Sequence, residues 1–273
     1  MAFKQKLANV TGLKPSLIPS SYQILGDIML LKVPNATQAE KNKIARGAML
    51  LLPYVRSVCE IKEVKGELRQ PAVKLIAGER TETIHTENNV KYHLDVSKIM
   101  FSKGNLNERQ RLIKKIKKDE TIVDMFAGIG YFSLPIAKHT KAKKIVAIEK
   151  NLDAFRFLKN NIQLNNLTNV QTIWGDCKDF AKSVTNFADR IIMGYFPDTE
   201  EFLPYAVRIA KNNAIVHFHN IYSAKDLWKK PLKQIEEACS QQSCGFEVLE
   251  KKKVKSYKPG VFHVVVDFKI IKE

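Results

Sequence analysis

Residues Thr121 to Gly130 constrain the fold more than any other stretch of the sequence. A strand-like segment, Thr121 to Phe126, runs directly into Ala127-Gly128-Ile129-Gly130 and then into a helix. A strand that feeds a helix through a glycine turn opens a crossover unit, and such units build mostly parallel sheets with right-handed connections. The alternation continues with a strand at Lys144 to Glu149, a helix at Asp153 to Asn165, and strands at Val170 to Trp174 and Ala188 to Tyr195. A helix over Glu200 to Ala210, a strand over Asn213 to His219 and a helix over Trp228 to Cys239 follow. The strands Phe246 to Val254 and His263 to Ile271 flank Lys258-Pro259-Gly260, which predicts an antiparallel hairpin at one sheet edge.

The earlier part of the chain reads differently. Tyr22 to Val33 is strand-like around a turn or bulge at Gly26-Asp27, and Thr37 can cap a helix reaching Leu52. Short strands at Val55 to Val64, Val73 to Ile76, Thr83 to His85 and Val90 to Asp95 are punctuated by Gly66, Gly78 and Asn88-Asn89. We therefore expect a small α+β domain over 1–95 and an α/β domain over 96–273, the latter led by a basic helix from Asn107 to Lys118.

Composition narrows the class without choosing a function. Hydrophobic residues at 45% and charged residues at 27% are those of a globular chain, not a disordered one. The excess of 45 Lys and Arg over 28 Asp and Glu, a formal charge of +17, suits a polyanionic partner, but a lysine-rich proteome would give the same balance. No apolar run approaches the roughly 20 residues that span a bilayer, and no signal-peptide pattern opens the chain, so a cytoplasmic protein with no membrane partner is expected. Cys59, Cys177, Cys239 and Cys244 form no paired metal pattern, so free thiols and no metal are expected.

The chemistry gathers at predicted strand ends. Asp124, Phe126, Ala127, Gly128 and Gly130 form a loop whose glycines let a ligand approach the backbone. Nineteen residues beyond Gly130, Glu149 ends the next strand, where a carboxylate accepts ribose hydroxyls. A nicotinamide dinucleotide site uses the same spacing but needs a third glycine three residues after Gly130, which this chain lacks, and that favours S-adenosyl-L-methionine. Gly175-Asp176-Cys177 ends the third strand. Asp176 either caps a helix from Lys178 or, in series with the glycine loop and Glu149, reads the adenine with Cys177 beside it.

These residues resemble the family that modifies the purine 3′ of the anticodon: tRNA guanine-37 N1-methyltransferases and the wyosine-pathway aminocarboxypropyltransferases. The resemblance spans nearly the whole chain. It rests on Gly66-Glu67-Leu68-Arg69, Thr83-Ile84-His85, Phe101-Ser102 with Glu108-Arg109, the Asp124 to Phe132 loop, and Tyr257 to Asp267. It implies a Rossmann-like class I methyltransferase fold, with the N-terminal domain touching tRNA. The loop Ile192-Met193-Gly194-Tyr195-Phe196-Pro197 is similar to the aminocarboxypropyl branch, because the methyltransferases carry an Asn-Leu-Pro type motif there. Pro197 keeps a trace of that motif. Met100 and His217-Phe218-His219 resemble the aminocarboxypropyl branch too, and the extra N-terminal module typical of the methyltransferases is not expected.

The implied reaction moves the 3-amino-3-carboxypropyl group of S-adenosyl-L-methionine to C7 of 4-demethylwyosine at position 37 of tRNA(Phe), leaving methylthioadenosine. The alternative is N1-methylation of guanine 37, leaving S-adenosylhomocysteine; a tRNA-binding protein that merely retains the pocket is a third reading. By resemblance, Ser102 and Arg109 hold the cofactor's carboxylate, Gly194 leaves room where the methyltransferases guide guanine, Glu108 is the candidate base and Arg69 faces the purine. Each has a plainer reading: Arg109 a charge on a solvated helix with Arg111, Lys114 and Lys115; Glu108 the partner of a helix lysine; Arg69 a solvated sheet edge. A monomer acting on the anticodon region is expected.

Overall fold

The computed structural model describes residues 2–66 and 70–272. The chain divides into two compact units, one ending at Phe101 and one beginning at Ser102.

The first unit holds α1 (Phe3–Thr11), β1 (Tyr22–Leu25), β2 (Ile28–Leu31), α2 (Gln38–Leu51), β3 (Ser57–Lys65), β4 (Gln70–Ala77), β5 (Glu82–Glu87) and β6 (Val90–Asp95). The single strand expected over Tyr22 to Val33 is two, because Gly26 takes a left-handed φ of 54° and folds β1 back on β2. Strands β1 to β4 pair in chain order, with β2 and β3 parallel. Thr37 caps α2 in a reciprocal box: its hydroxyl accepts from the Glu40 amide, and Glu40 accepts from the Thr37 amide at 2.7 Å. Asn88 and Asn89, at φ 50° and 59°, make the two-residue turn of the β5–β6 hairpin. Thr83 and His85 have a local task, accepting the Asp27 and Gly26 amides at 3.3 Å each. Helix α1 carries no side-chain cap and ends at Gly12; its short pattern gave no sequence signal.

The second unit runs α3 (Leu106–Lys115), β7 (Thr121–Asp124), α4 (Ser133–His139), β8 (Lys144–Glu149), α5 (Leu152–Leu164), β9 (Val170–Trp174), α6 (Cys177–Ser183) and β10 (Ala188–Met193). It continues with α7 (Leu203–Ile209), β11 (Ala210–Ser223), α8 (Lys229–Gln241), β12 (Gly245–Lys258) and β13 (Val261–Ile271). The seven strands lie in the order β12-β13-β11-β10-β7-β8-β9, and only β13 runs against its neighbours β11 and β12. Strands β7, β8 and β10 read as near-continuous apolar runs because helices cover both faces of a parallel sheet. One face packs Val123, Met125, Ile191 and Met193 with Ala206, Val207 and Ile235. The other packs Ile122, Ile145 and Ile192 with Leu112 and Ile136. The helix expected from Glu200 begins as a 3-10 turn over Thr199–Phe202, because Pro204 sits in the first turn of α7.

Candidate cofactor and substrate site

Strands β7 and β10 are neighbours whose onward connections lead to opposite halves of the sheet, so a crevice opens at their carboxyl ends. The β7 strand stops at Asp124 because the chain there turns to other partners: the Met125 amide donates to Ile192 O at 3.0 Å and the Ala127 amide to Ile148 O at 2.9 Å. Asp124 is fully buried behind the loop. Its carboxylate accepts from Ser133 Oγ at 2.6 Å and from the Phe126 amide at 3.4 Å, and burial pushes its pKa up to about 6. Gly128 and Gly130 take φ of 57° and 100°, and a Cβ on Gly130 would lie 2.3 Å from Leu134. Only glycine fits there, which leaves a backbone cradle of the kind a nucleoside cosubstrate needs.

Glu149 ends β8 and clamps that cradle. Its Oε2 accepts the Gly128 amide and its Oε1 the Asn151 amide, both at 2.7 Å. Burial raises its pKa, with the two amides pulling the other way. At the end of β9, Asp176 caps α6 through the Lys178 amide at 2.9 Å, and its other oxygen lies 3.3 Å from Lys150 Nζ. The capping reading is thus realised, and it leaves the second oxygen facing a cation at the same sheet edge. Cys177, the first residue of α6, is buried, which holds its thiol well above the ordinary range.

The loop after β10 forms the opposite wall. Tyr195 stacks on Phe126 with ring centroids 5.1 Å apart, and Phe202 meets Phe126 edge-on at 4.8 Å. The Phe196-Pro197 peptide is cis. Phe196 lies 4.3 Å from the His263 ring. The room expected beside Gly194 is filled: a Cβ there would lie 2.5 Å from Phe132 Cε2. Phe132 is thus the ring that a side chain at 194 would strike.

Helix α3 carries Glu108 and Arg109, and Ser102 lies four residues ahead of it. Arg109 is 2% exposed and donates through Nη2 to Ser102 O at 3.3 Å, so it is no solvated helix charge. Neither is Arg111, whose guanidinium donates to Glu108 at 2.6 Å and to Asp267 at 2.6 Å. The helix partner of Glu108 is therefore this arginine rather than a lysine, both Glu108 oxygens are engaged, and Lys252 of β12 lies 4.0 Å away. Lys114 remains exposed, while Lys115 pairs with Glu250 at 2.7 Å. Arg69 lies outside the described residues.

The TRM5/TYW2 methyltransferase domain model matches residues 83–249, across the glycine loop, Glu149, Asp176 and Gly194. The chain belongs to this family. A model of the TYW2 N-terminal domain matches residues 8–81 as well. The tRNA(Phe) (4-demethylwyosine(37)-C(7)) aminocarboxypropyltransferase of Pyrococcus horikoshii is 42% identical over 94% of this chain and 91% of its own length. Pyrococcus horikoshii TYW2, solved in complex with MeSAdo, superposes with a TM-score of 0.87 at 39% identity, covering 99% of this chain and 100% of that one. Trm5b from Pyrococcus abyssi superposes at 0.83 with 31% identity, covering 100% of this chain and 79% of that one.

The second unit also holds a buried polar chain that sequence reasoning missed. Glu120 receives a two-pronged bond from Arg190 at 2.8 Å, and Arg190 Nη1 lies 2.7 Å from His217 Nε2. His217 Nδ1 lies 2.6 Å from Asp267, which Arg111 also holds. A guanidinium only donates, so His217 Nε2 accepts from Arg190 and Nδ1–H donates to Asp267, and burial lowers the His217 pKa. Burial alone would raise Asp267, yet His217 and Arg111 together hold it well below the carboxylate range. Beside the chain, His219 Nδ1 lies 3.0 Å from His263 Nε2, and burial lowers His219 to about 3. One signal was available: His217 and His219 on β11, and His263 and Asp267 on β13, recur at even spacing among apolar residues. That spacing places them on one covered face.

Proposed function

We propose that this enzyme transfers the 3-amino-3-carboxypropyl group of S-adenosyl-L-methionine to C7 of 4-demethylwyosine at position 37 of tRNA(Phe). The observation that carries the reading is the near full-length match to the aminocarboxypropyltransferase described above, joined to a cradle that fits the cosubstrate. The cosubstrate supplies three electrophilic carbons on one sulfonium, so the product depends on which carbon the protein presents.

In this reading the glycine cradle receives the nucleoside, Glu149 accepts from the ribose hydroxyls, and Asp176 with Cys177 borders the adenine. Ser102 and Arg109 hold the α-carboxylate, a planar guanidinium being suited to grip both carboxylate oxygens. Held there, the arm presents its sulfur-bound γ-carbon to C7 with the methyl turned away; the new C–C bond forms as the γ-carbon–sulfur bond breaks, methylthioadenosine leaves, and C7 gives up its proton. Glu108 acts as a positioning residue: its bond to Arg111 fixes the turn of α3 that carries Arg109. Exposed lysines of α3 and of the segment after it, with basic groups of the first unit, bind tRNA phosphates near the anticodon.

The test is incubation with cosubstrate labelled separately in the methyl group and in the aminocarboxypropyl chain, using tRNA carrying either guanine or 4-demethylwyosine at position 37. Transfer of the chain label to the demethylwyosine tRNA is expected. Transfer of the methyl label alone, to guanine, would replace this reading with that of a guanine-37 methyltransferase.

A further inference from the structure

Lysines crowd β12 at Lys251, Lys252, Lys253, Lys255 and Lys258, and most are what an edge strand carries to discourage pairing with other chains. Lys255 differs because of the local register. Lys253 stands opposite Val264 and Lys255 opposite His263, so one extra residue, Val254, bulges out of the pairing. Side chains alternate along a strand, and a one-residue bulge switches that alternation. Without it Lys255 would share the outward face of Lys251 and Lys253, both exposed. With it, Lys255 shares the face of its partner His263 and of Asp267, the face that α3 covers.

There Lys255 Nζ donates to Ser102 Oγ at 3.0 Å. Its stem lies against Gly104, where a Cβ would come within 3.1 Å of Nζ and 3.3 Å of Cδ. Arg109 bonds the carbonyl of the same Ser102. Two cations from distant parts of the chain therefore converge on one serine. An ammonium only donates, so the Ser102 hydroxyl accepts from it and turns its own hydrogen elsewhere.

We infer that Lys255 is a substrate-arm residue: it orients the Ser102 hydroxyl as a donor and, with Arg109, forms the cationic pocket for the cosubstrate's α-carboxylate. The inference rests on the proposed placing of that carboxylate at Ser102 and Arg109. A lysine turned inward by the bulge at Val254 would thus hold the arm that is transferred while leaving the nucleoside to the glycine cradle.

Methylthioadenosine carries the nucleoside without the amino-acid arm, so comparing it with the intact cosubstrate isolates the arm. Calorimetric titration of Lys255→Met should show affinity for S-adenosyl-L-methionine lowered about ten- to a hundredfold, the size of one charge-assisted bond. Affinity for methylthioadenosine should stay within about twofold, a ratio that a merely structural lysine would not alter. Lys255→Arg, which keeps the charge and a donor, should recover most of the loss. If Lys255→Met unfolds, Lys255→Gln, which retains a donor without the charge, is expected to show the same selective loss. Arg109→Ala separates the two layers of the argument. Selective loss in Arg109→Ala but equal loss or none in the Lys255 variants would overturn the role of Lys255 alone. No selectivity in either would overturn the carboxylate placing beneath it.

Discussion

Replacing Glu149 by glutamine tests whether the cradle and the ribose site are one device. The carboxylate accepts two backbone amides, Gly128 at Oε2 and Asn151 at Oε1, each at 2.7 Å. Glutamine has one acceptor oxygen, so one amide would face an NH2 group and lose its bond, and the ribose hydroxyls would lose a charged acceptor. A hydrogen bond to a charged group is worth about 1.5–3 kcal/mol, so affinity should fall about 10- to 150-fold. Because both ligands carry the ribose, the loss should be equal for S-adenosyl-L-methionine and methylthioadenosine in calorimetric titrations. Glu149→Ala removes both clamps and should also lower the melting temperature further than Glu149→Gln.

The pH dependence gives a second reading of the same variant. Burial raises the Glu149 pKa, so on acidification the wild type takes up its proton above the ordinary glutamate range of 4.5 and loses its acceptor early. Wild-type affinity should therefore weaken as pH falls toward that raised value, while the Glu149→Gln affinity stays flat. A folded Glu149→Gln protein that binds both ligands as tightly as wild type would refute the assignment. Loss confined to S-adenosyl-L-methionine would refute it too, because the residue would then be sensing the arm.

Asp124 should show the opposite of ordinary acid denaturation: with its pKa raised from 3.8 to about 6, the folded state takes up the proton first. Its contribution to stability therefore grows as pH falls through 6 toward 3.8, and the wild type should gain about 2 kcal/mol over Asp124→Asn between pH 7.5 and pH 4 in denaturant titrations; a gap that shrinks on acidification would contradict the burial argument. Gly194→Ala should cost about 1–3 kcal/mol of stability from overpacking against Phe132, measurable by the same titrations, and a neutral substitution would show that the ring yields freely. Affinity for tRNA should fall with salt, and removing exposed Lys114 and Lys117 should flatten the slope by about one each, whereas Lys115, paired with Glu250, should matter less. Affinity that does not change with salt would assign the charge of +17 to composition alone.

What the sequence disclosed were features set by local rules. Apolar runs marked the parallel strands, Thr37 marked the start of α2, Asn88-Asn89 marked a break between strands, and the spacing from Gly130 to Glu149 put a carboxylate at a strand end. What it hid were charges whose burial depends on distant partners. Arg111 lies on an outwardly polar helix and reads as a solvent charge, yet its partner Asp267 is 156 residues away. Arg190 sits in β10 as an interruption, and only the pairing of β10 with β7 and β11 brings Glu120 and His217 to it. Lys255 was equally hidden, because a bulge of one residue decides which face of β12 it occupies. Periodicity carries the parity of a strand but not the place where that parity breaks.

Gly194 shows why the choice of reaction cannot be read from one position. The ring of Phe132 occupies the volume a side chain at 194 would need, so the two residues define a single steric unit. Phe132 also lies 5.7 Å from the His219 ring, and His219 is bonded to His263, whose ring packs on Phe196. Tyr195 stacks on Phe126 at the other end of the same wall. Aromatic contacts of this kind contribute about 0.5–1.5 kcal/mol each beyond their buried area, enough together to hold the two loops as one surface. An asparagine placed at 194 to guide guanine would drive into Phe132 and displace the ring from His219. A side chain introduced at 194 would therefore be felt by the glycine loop, the loop after β10 and the histidine pair, with Phe132 as the residue they share.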